Sequence, residues 1–229
     1  CVPVKKIQSI DELECELTAD FAADPARARQ LAFAIKAKIA REAGDHVRCS
    51  IGIGPNWFLA KVASDMEKPN GLVVIDDADI PGKLLHLKLT DFCGIGEAME
   101  QRLRAAGIDT VAQLYRTTAA ELRAVWGSVE GARFHAWMNG GLQERAPTEH
   151  NTIGHGHVLP PAGRNSETAL AVLHRLLQKA AMRLRHTGHY AGSLSVSVRY
   201  RDDTRWSDDR HFNESQDTLH FTHVLNALW

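Results

Sequence analysis

SIGIGPNWFLAKVASDMEKPNG, residues 50–71, decides how this chain is read. The β-branched content around its opening predicts a strand over 47–54, and its middle predicts a helix from Asn56 to Met66. KPNG (68–71) reads as a turn and LVVI (72–75) as a buried strand. A strand passing through Gly-Pro-Asn into a helix, with Lys61 and Lys68 seven residues apart, suits a polyphosphate, because a helix start offers free N–H groups beside the two ammonium groups. On spacing alone a plain strand–helix crossover with two surface lysines is favoured, since no Walker-type glycine-rich loop is present.

Upstream, residues 2–18 read as two strands with a polar break, and 25–43 as a helix. Ala28, Leu31, Ala32, Ile35 and Ile39 fall at helical spacing, with Asp24 as N-cap, Pro25 at N1 and Gly44 as the stop. The adjacent carboxylates Asp11 and Glu12 have the chemistry to hold a hard divalent cation such as magnesium. Neighbours on a strand point to opposite faces, so both reach one site only at a turn or strand end. Taken alone, such a pair is usually a solvated turn. Strands interleaved with helices suggest an α/β layered unit here.

Downstream, strand signals vanish from Asp79 to about Leu142. Short amphipathic helices are predicted over 80–86, 97–106, 110–115, 118–125 and 128–139. Within this stretch, FCGIGEAMEQRLRAAGI (92–108) has the form of a helix-hairpin-helix: Gly94, Ile95 and Gly96 turn backbone amides toward an anion at a helix N-terminus. Such a hairpin grips a nucleic-acid backbone without reading sequence. ERAPTEH (144–150) reads as a linker. Beyond it come a strand (152–159), a long helix (166–187), strands at 193–201 and 204–213, and a helix from 217, a β-α-β-β-α order. His155 and His157, and Arg199 and Arg201, share faces on these strands, which suits a sheet lying along phosphates, or a plain solvated face.

The formal net charge is −1 over 229 residues, with 44% apolar and 24% charged side chains, ordinary for a soluble globular protein. Residues 145–229 carry ten Lys/Arg against eight Asp/Glu, and 1–144 carry seventeen against twenty, so the C-terminal part is mildly basic. No apolar run reaches 18 residues, and no signal-peptide pattern opens the chain. Cys1, Cys15, Cys49 and Cys93 form no CxxC pair, which argues against a zinc site or a disulfide framework and for a cytoplasmic setting. A chain opening on Cys1 rather than Met is expected to have been taken from something longer.

In this order and spacing, SIDE, a helix, S-I-G-I-x-P-N, F-L-A-K-x-A-S-D-M-x-K-P-N-G, G-I-G and L-x-x-A-G-I resemble the Y-family (DinB, polymerase IV-like, impB/mucB/samB) translesion DNA polymerases. The likeness runs from about Pro3 to Tyr200. It implies an α+β, multi-domain right hand: 1–80 the C-terminal half of an α/β palm, 81–143 a helical thumb, 144–149 a linker and 150–229 an α+β little finger missing its last strand. It further implies catalytic, metal-binding carboxylates at Asp11 and Glu12, and nucleotide-binding lysines at Lys61 and Lys68. DNA contacts are implied at Gly94, Ile95 and Gly96, with Arg199 and Arg201 as the best side-chain candidates. Two Mg2+ ions, primer–template DNA and a deoxynucleoside triphosphate are the implied cofactors and partners. The protein is expected to be a monomer without a membrane partner, and a sliding clamp would be met through residues past Trp229. A further metal-ligating Asp and the fingers are expected before Cys1, so the chain alone is expected to be inactive. Leu13, Glu14, Cys15 and Trp57 depart from the family pattern, which leaves open a non-catalytic DNA-binding accessory of the same fold.

Overall fold

The computed structural model describes residues 2–22, 24–143 and 151–229. Cys1 and the whole of the expected linker lie outside the described residues. The chain divides into two compact units, 1–145 and 146–229.

In the first unit, β1 (Val4–Ile7) and β2 (Leu13–Cys15) form an antiparallel hairpin whose last pair is Ile7 with Leu13. After the single turn α1 (Ala19–Ala22) comes α2 (Pro25–Ala43). Its N-cap Asp24 accepts from the N–H groups of Ala26 and Arg27, and Gly44 closes it at φ +108°. Ala28 and Ala32 are buried, as the helical spacing predicts. Next, β3 (Ile51–Ile53) pairs in parallel with β4 (Leu72–Val74), joined by α3 (Trp57–Met66). The strand expected over 47–54 is thus three residues long.

Gly52 explains how closely α3 lies on β3. A Cβ there would sit 1.9 Å from the carbonyl oxygen of Ala60, so only glycine admits the helix. At its other side α3 runs into an all-helical stretch made of α4 (Glu97–Ala105), α5 (Val111–Arg116), α6 (Ala119–Trp126) and α7 (Glu130–Met138). The helix expected over 80–86 is instead a 3-10 turn at Gly82–Leu84, where Pro81 and Gly82 disfavour a longer helix. Phe58, Leu59 and Val62 of α3 share one core with Leu103, Leu114, Leu122, Phe134 and Met138.

The second unit holds α8 (Ser166–His186), β5 (Ala191–Arg199), β6 (Arg205–Ser215) and α9 (Thr218–Leu228). β5 and β6 form an antiparallel pair. Leu177, Leu184, Val196, Phe221 and Leu225 make its core. The strand expected over 152–159 is absent. Gly154 and Gly156 weaken a strand there, and no other strand pairs with it among the described residues. Ile153 packs on the core, while His155 and His157 are exposed on irregular chain, so they do not share a strand face. No helix among the described residues is long and apolar enough to cross a membrane.

Candidate active site

Asp11 and Glu12 lie in the bend between β1 and β2 rather than within a strand, so opposite-facing geometry does not separate them. The bend is held by its own backbone: Gln8 and Ser9 N–H groups donate to the Glu12 carbonyl at 2.9 and 3.2 Å. Ser9 donates its hydroxyl to Asp11 Oδ1 at 2.7 Å, which orients that carboxylate. Two of the departures from the family pattern pack locally. Gln8 donates to the Glu14 carboxylate at 2.7 Å, and burial, then the charge of Glu14, pushes the Cys15 thiol up.

Glu12 meets α3. Its Oε1 lies 2.6 Å from Lys61 Nζ, which lies 3.1 Å from Asp65 Oδ2 one turn further along the helix. Asp65 Oδ1 in turn lies 2.6 Å from Lys68 Nζ in the turn after α3. Carboxylate and ammonium thus alternate across Glu12, Lys61, Asp65 and Lys68, bringing together the middle and C-terminal end of the 50–71 block and the acidic hairpin. Burial works against the Lys61 ammonium, but its bonds to Glu12 and Asp65 outweigh that and hold its pKa above the ordinary value. Burial likewise works against the Asp65 carboxylate, yet Lys68 and Lys61 together hold its pKa below the usual range.

The N-terminus of α3 is fastened as firmly as its charged end. Asn56 caps it by accepting from Leu59 N–H at 2.9 Å, and its Nδ2 donates to the carbonyls of Trp137 and Gly141 at 2.8 and 3.0 Å. Trp57, where the family commonly has Lys, packs edge-on against Trp137 with ring centroids 5.1 Å apart. It therefore belongs to the packing between α3 and α7.

The Gly94-Ile95-Gly96 segment precedes α4. Ile95 is buried, anchoring the bend in the core, and Gly94 has φ +96°. Gly96 is the N-cap of α4 without a side-chain cap, has φ −88°, and has nothing within 4 Å of where a Cβ would stand. Neither backbone strain nor crowding demands glycine there. A capping Ser or Asp would fit, but would occupy the N–H groups that glycine leaves open.

In the second unit the expected Arg pair is corrected. Arg199 ends β5, but Arg201 lies in the three-residue loop 201–203 closed by Tyr200 N–H to Thr204 O at 2.8 Å, so the two do not share a strand face. Asp203 supplies the positive φ (+64°) that such a loop needs and accepts from Arg199 Nε and Nη2 at 3.1 and 2.8 Å. The register puts Ser193, Ser195, Ser197 and Arg199 opposite His211, Asp209, Ser207 and Arg205, a polar face away from Val196 and the core. The partnership of Asp203 with Arg199 escaped the sequence reading, although an aspartate four residues after the arginine in a tight loop is a usable signal.

Residues 2–65 match the impB/mucB/samB family and residues 150–229 match its C-terminal domain. The chain is 33% identical over 171 residues to DNA polymerase IV of Moorella thermoacetica, covering 72% of this chain and 42% of that one. It is 32% identical to DNA polymerase IV 1 of Halalkalibacterium halodurans, covering 79% and 45%. The chain therefore spans under half the length of these relatives. Among solved structures, a Y-family DNA polymerase chimera matches with a TM-score of 0.73 at 22% identity, covering 99% of this chain and 66% of that one. DinB from Sulfolobus solfataricus matches with a TM-score of 0.51 at 23% identity, covering 97% and 64%. With the same fold, both parts of the family pattern and relatives of one name, the chain belongs to the impB/mucB/samB family of Y-family, DinB-like DNA polymerases.

Proposed function

We propose that this chain supplies the C-terminal half of the palm, the thumb and most of the little finger of an error-prone translesion DNA polymerase, acting by template-directed nucleotidyl transfer. Its substrates are then primer–template DNA and deoxynucleoside triphosphates. The name shared by the relatives supports the reaction. The observation that carries the reading is the convergence of Glu12 with Lys61, Asp65 and Lys68, which sets a hairpin carboxylate and two ammonium groups around one spot.

Two features fit magnesium at the hairpin: the donors are hard carboxylate oxygens, and Glu12 already faces a cation, the Lys61 ammonium. Asp11 and Glu12 would hold the metal, which when bound offsets charge on the transferring phosphate. Every other step belongs to this chain's side chains and backbone. Ser9 keeps the Asp11 carboxylate oriented. Lys68 exchanges the Asp65 carboxylate for triphosphate oxygens, a charge-assisted contact. Lys61, released from Glu12, adds a second positive charge beside the leaving phosphates, so the work is positioning and charge neutralisation. Gly94 and Gly96 give backbone N–H groups to a DNA phosphate, Ile95, whose N–H donates to the Phe92 carbonyl at 3.0 Å, anchors the bend between them, and the serine-lined face of β5 and β6 takes further phosphates.

The test is a pair of measurements on the 229-residue chain. Fluorescence anisotropy is expected to report primer–template binding that ignores base sequence and weakens with salt. Primer extension by the chain alone is expected to be absent, because Asp11 and Glu12 by themselves are too few carboxylates for two metal ions. Sequence-specific binding would contradict the reading, and extension at the rate of a relative's polymerase IV would contradict the expected inactivity of the chain alone.

A further inference from the structure

Lys36 lies on α2, outside the 50–71 block, yet its ammonium is spent on the turn that carries Lys68. It donates to the carbonyl of Cys49, to the carbonyl of Asn70 at 2.9 Å and to Asn70 Oδ1 at 3.0 Å. An ammonium has three N–H donors, and here each has an acceptor, two of them on one residue 34 positions along the chain. Asn70 has φ +66°, a left-handed backbone that asparagine adopts more readily than most non-glycine residues, and Lys36 fastens it there through both its carbonyl and its side chain. Ser50, just before β3, supports the same turn by accepting from Gly71 N–H at 3.3 Å. Lys68 stands two residues before Asn70 and projects its ammonium to Asp65 at 2.6 Å.

Resting on the reading of Lys68 as a triphosphate contact, we propose that Lys36 is the positioning residue for Lys68, pinning the 68–71 turn from behind so that the Lys68 ammonium is aimed before nucleotide arrives. A flexible lysine must otherwise be ordered at the moment of binding, and ordering it in advance removes that cost. The bonds of Lys36 end on Asn70 and Cys49 rather than on Lys68, so it acts through the turn and its effect on nucleotide vanishes once Lys68 is gone.

The test uses the full 229-residue chain, nitrogen-15 NMR of the lysine ammonium groups, and deoxyadenosine triphosphate with magnesium as probe. Lys36→Met removes the donors at nearly constant length. In the free protein it is expected to move the Lys68 resonance and leave that of Lys83, which bonds to Val74 O and Asp79. Lys36→Arg is expected to restore the Lys68 resonance. Lys36→Met should weaken nucleotide binding about fivefold, and Lys68→Ala about tenfold or more. The double variant should bind no more weakly than Lys68→Ala, the non-additivity of groups acting through one contact. A merely structural Lys36 would lower the unfolding temperature, leave the Lys68 resonance in place and add its effect to that of Lys68→Ala, and this result overturns the proposal. If Lys68→Ala leaves nucleotide binding unchanged while Lys36→Met still moves the Lys68 resonance, the positioning stands and the triphosphate reading fails. Should Lys36→Met not fold, Asn70→Gly keeps the positive φ and deletes the Oδ1 acceptor. It must move the Lys68 resonance in the same direction that Lys36→Arg reverses, and an unmoved resonance rejects the proposal.

Discussion

Asp65 accepts from two ammonium groups at once, and that alone gives the candidate site a pH signature. Its pKa is held low, so its contribution to stability is present above the ordinary carboxylate value near pH 4 and is lost as pH falls through the folded value. The pKa of Lys61 is held high, so its contribution is present below about pH 10 and is lost as pH rises through the folded value. Between about pH 5 and 9 both are in place. Asp65→Asn is expected to lower stability at pH 7 by about 1 kcal/mol, since the pairs are partly exposed and screened. Urea unfolding of both proteins from pH 7 downward should show the gap begin to narrow below about pH 4 and close as pH falls through the folded value of Asp65, and a gap that does not narrow would mean that Asp65 acts by packing. Much of this was legible: SIDE marked the acidic bend, and the lysines and Asp65 stood in the 50–71 block. The pairing of Glu12 with Lys61 was not, because 49 residues separate them and no local period links the hairpin to α3.

Helix α3 is the element on which the site depends, and its two anchors differ in kind. Gly52→Ala would drive a methyl group into the Ala60 carbonyl, where backbone cannot yield, and is expected to cost about 3 kcal/mol or more. Asn56→Ala removes a helix cap and two bonds, to the Trp137 carbonyl of α7 and the Gly141 carbonyl after it, and is expected to cost about 2–3 kcal/mol. Thermal unfolding ranks both against wild type, and an Asn56→Ala chain as stable as wild type would mean that water replaces the clamp. The β5–β6 hairpin yields a prediction of opposite sign. Asp203→Asn tolerates the same positive φ but frees Arg199, so DNA affinity should rise and the salt slope steepen by about one unit. Arg201→Ala, out in the loop, should flatten the slope by about one unit independently of Arg199. Equal slopes in all three proteins would remove this hairpin from the DNA surface. The helices were legible because their periods and caps are local. The strands were less so: three residues carry little alternation, and the alternating polar pattern of 152–159 proved irregular chain, where two glycines and the lack of a pairing strand decide the outcome.

As a whole, the molecule is two units, each with its own core, and a family assignment resting on motifs spread along the first and on a full match across the second. Those motifs made the family legible from sequence, while the mild charge balance of the second unit gave no such lead. The reaction itself is tested most directly by exchange. A hybrid in which this chain replaces the matching segment of Moorella thermoacetica DNA polymerase IV supplies the rest of a relative's length. The hybrid is expected to extend a primer on a template, and the same hybrid with Asp11→Ala or Glu12→Ala is expected to bind that template equally well and extend it at least about a hundredfold more slowly. Extension unchanged by both substitutions, or a folded hybrid that binds primer–template and never extends it, would contradict the assignment of this chain as the catalytic part of a polymerase.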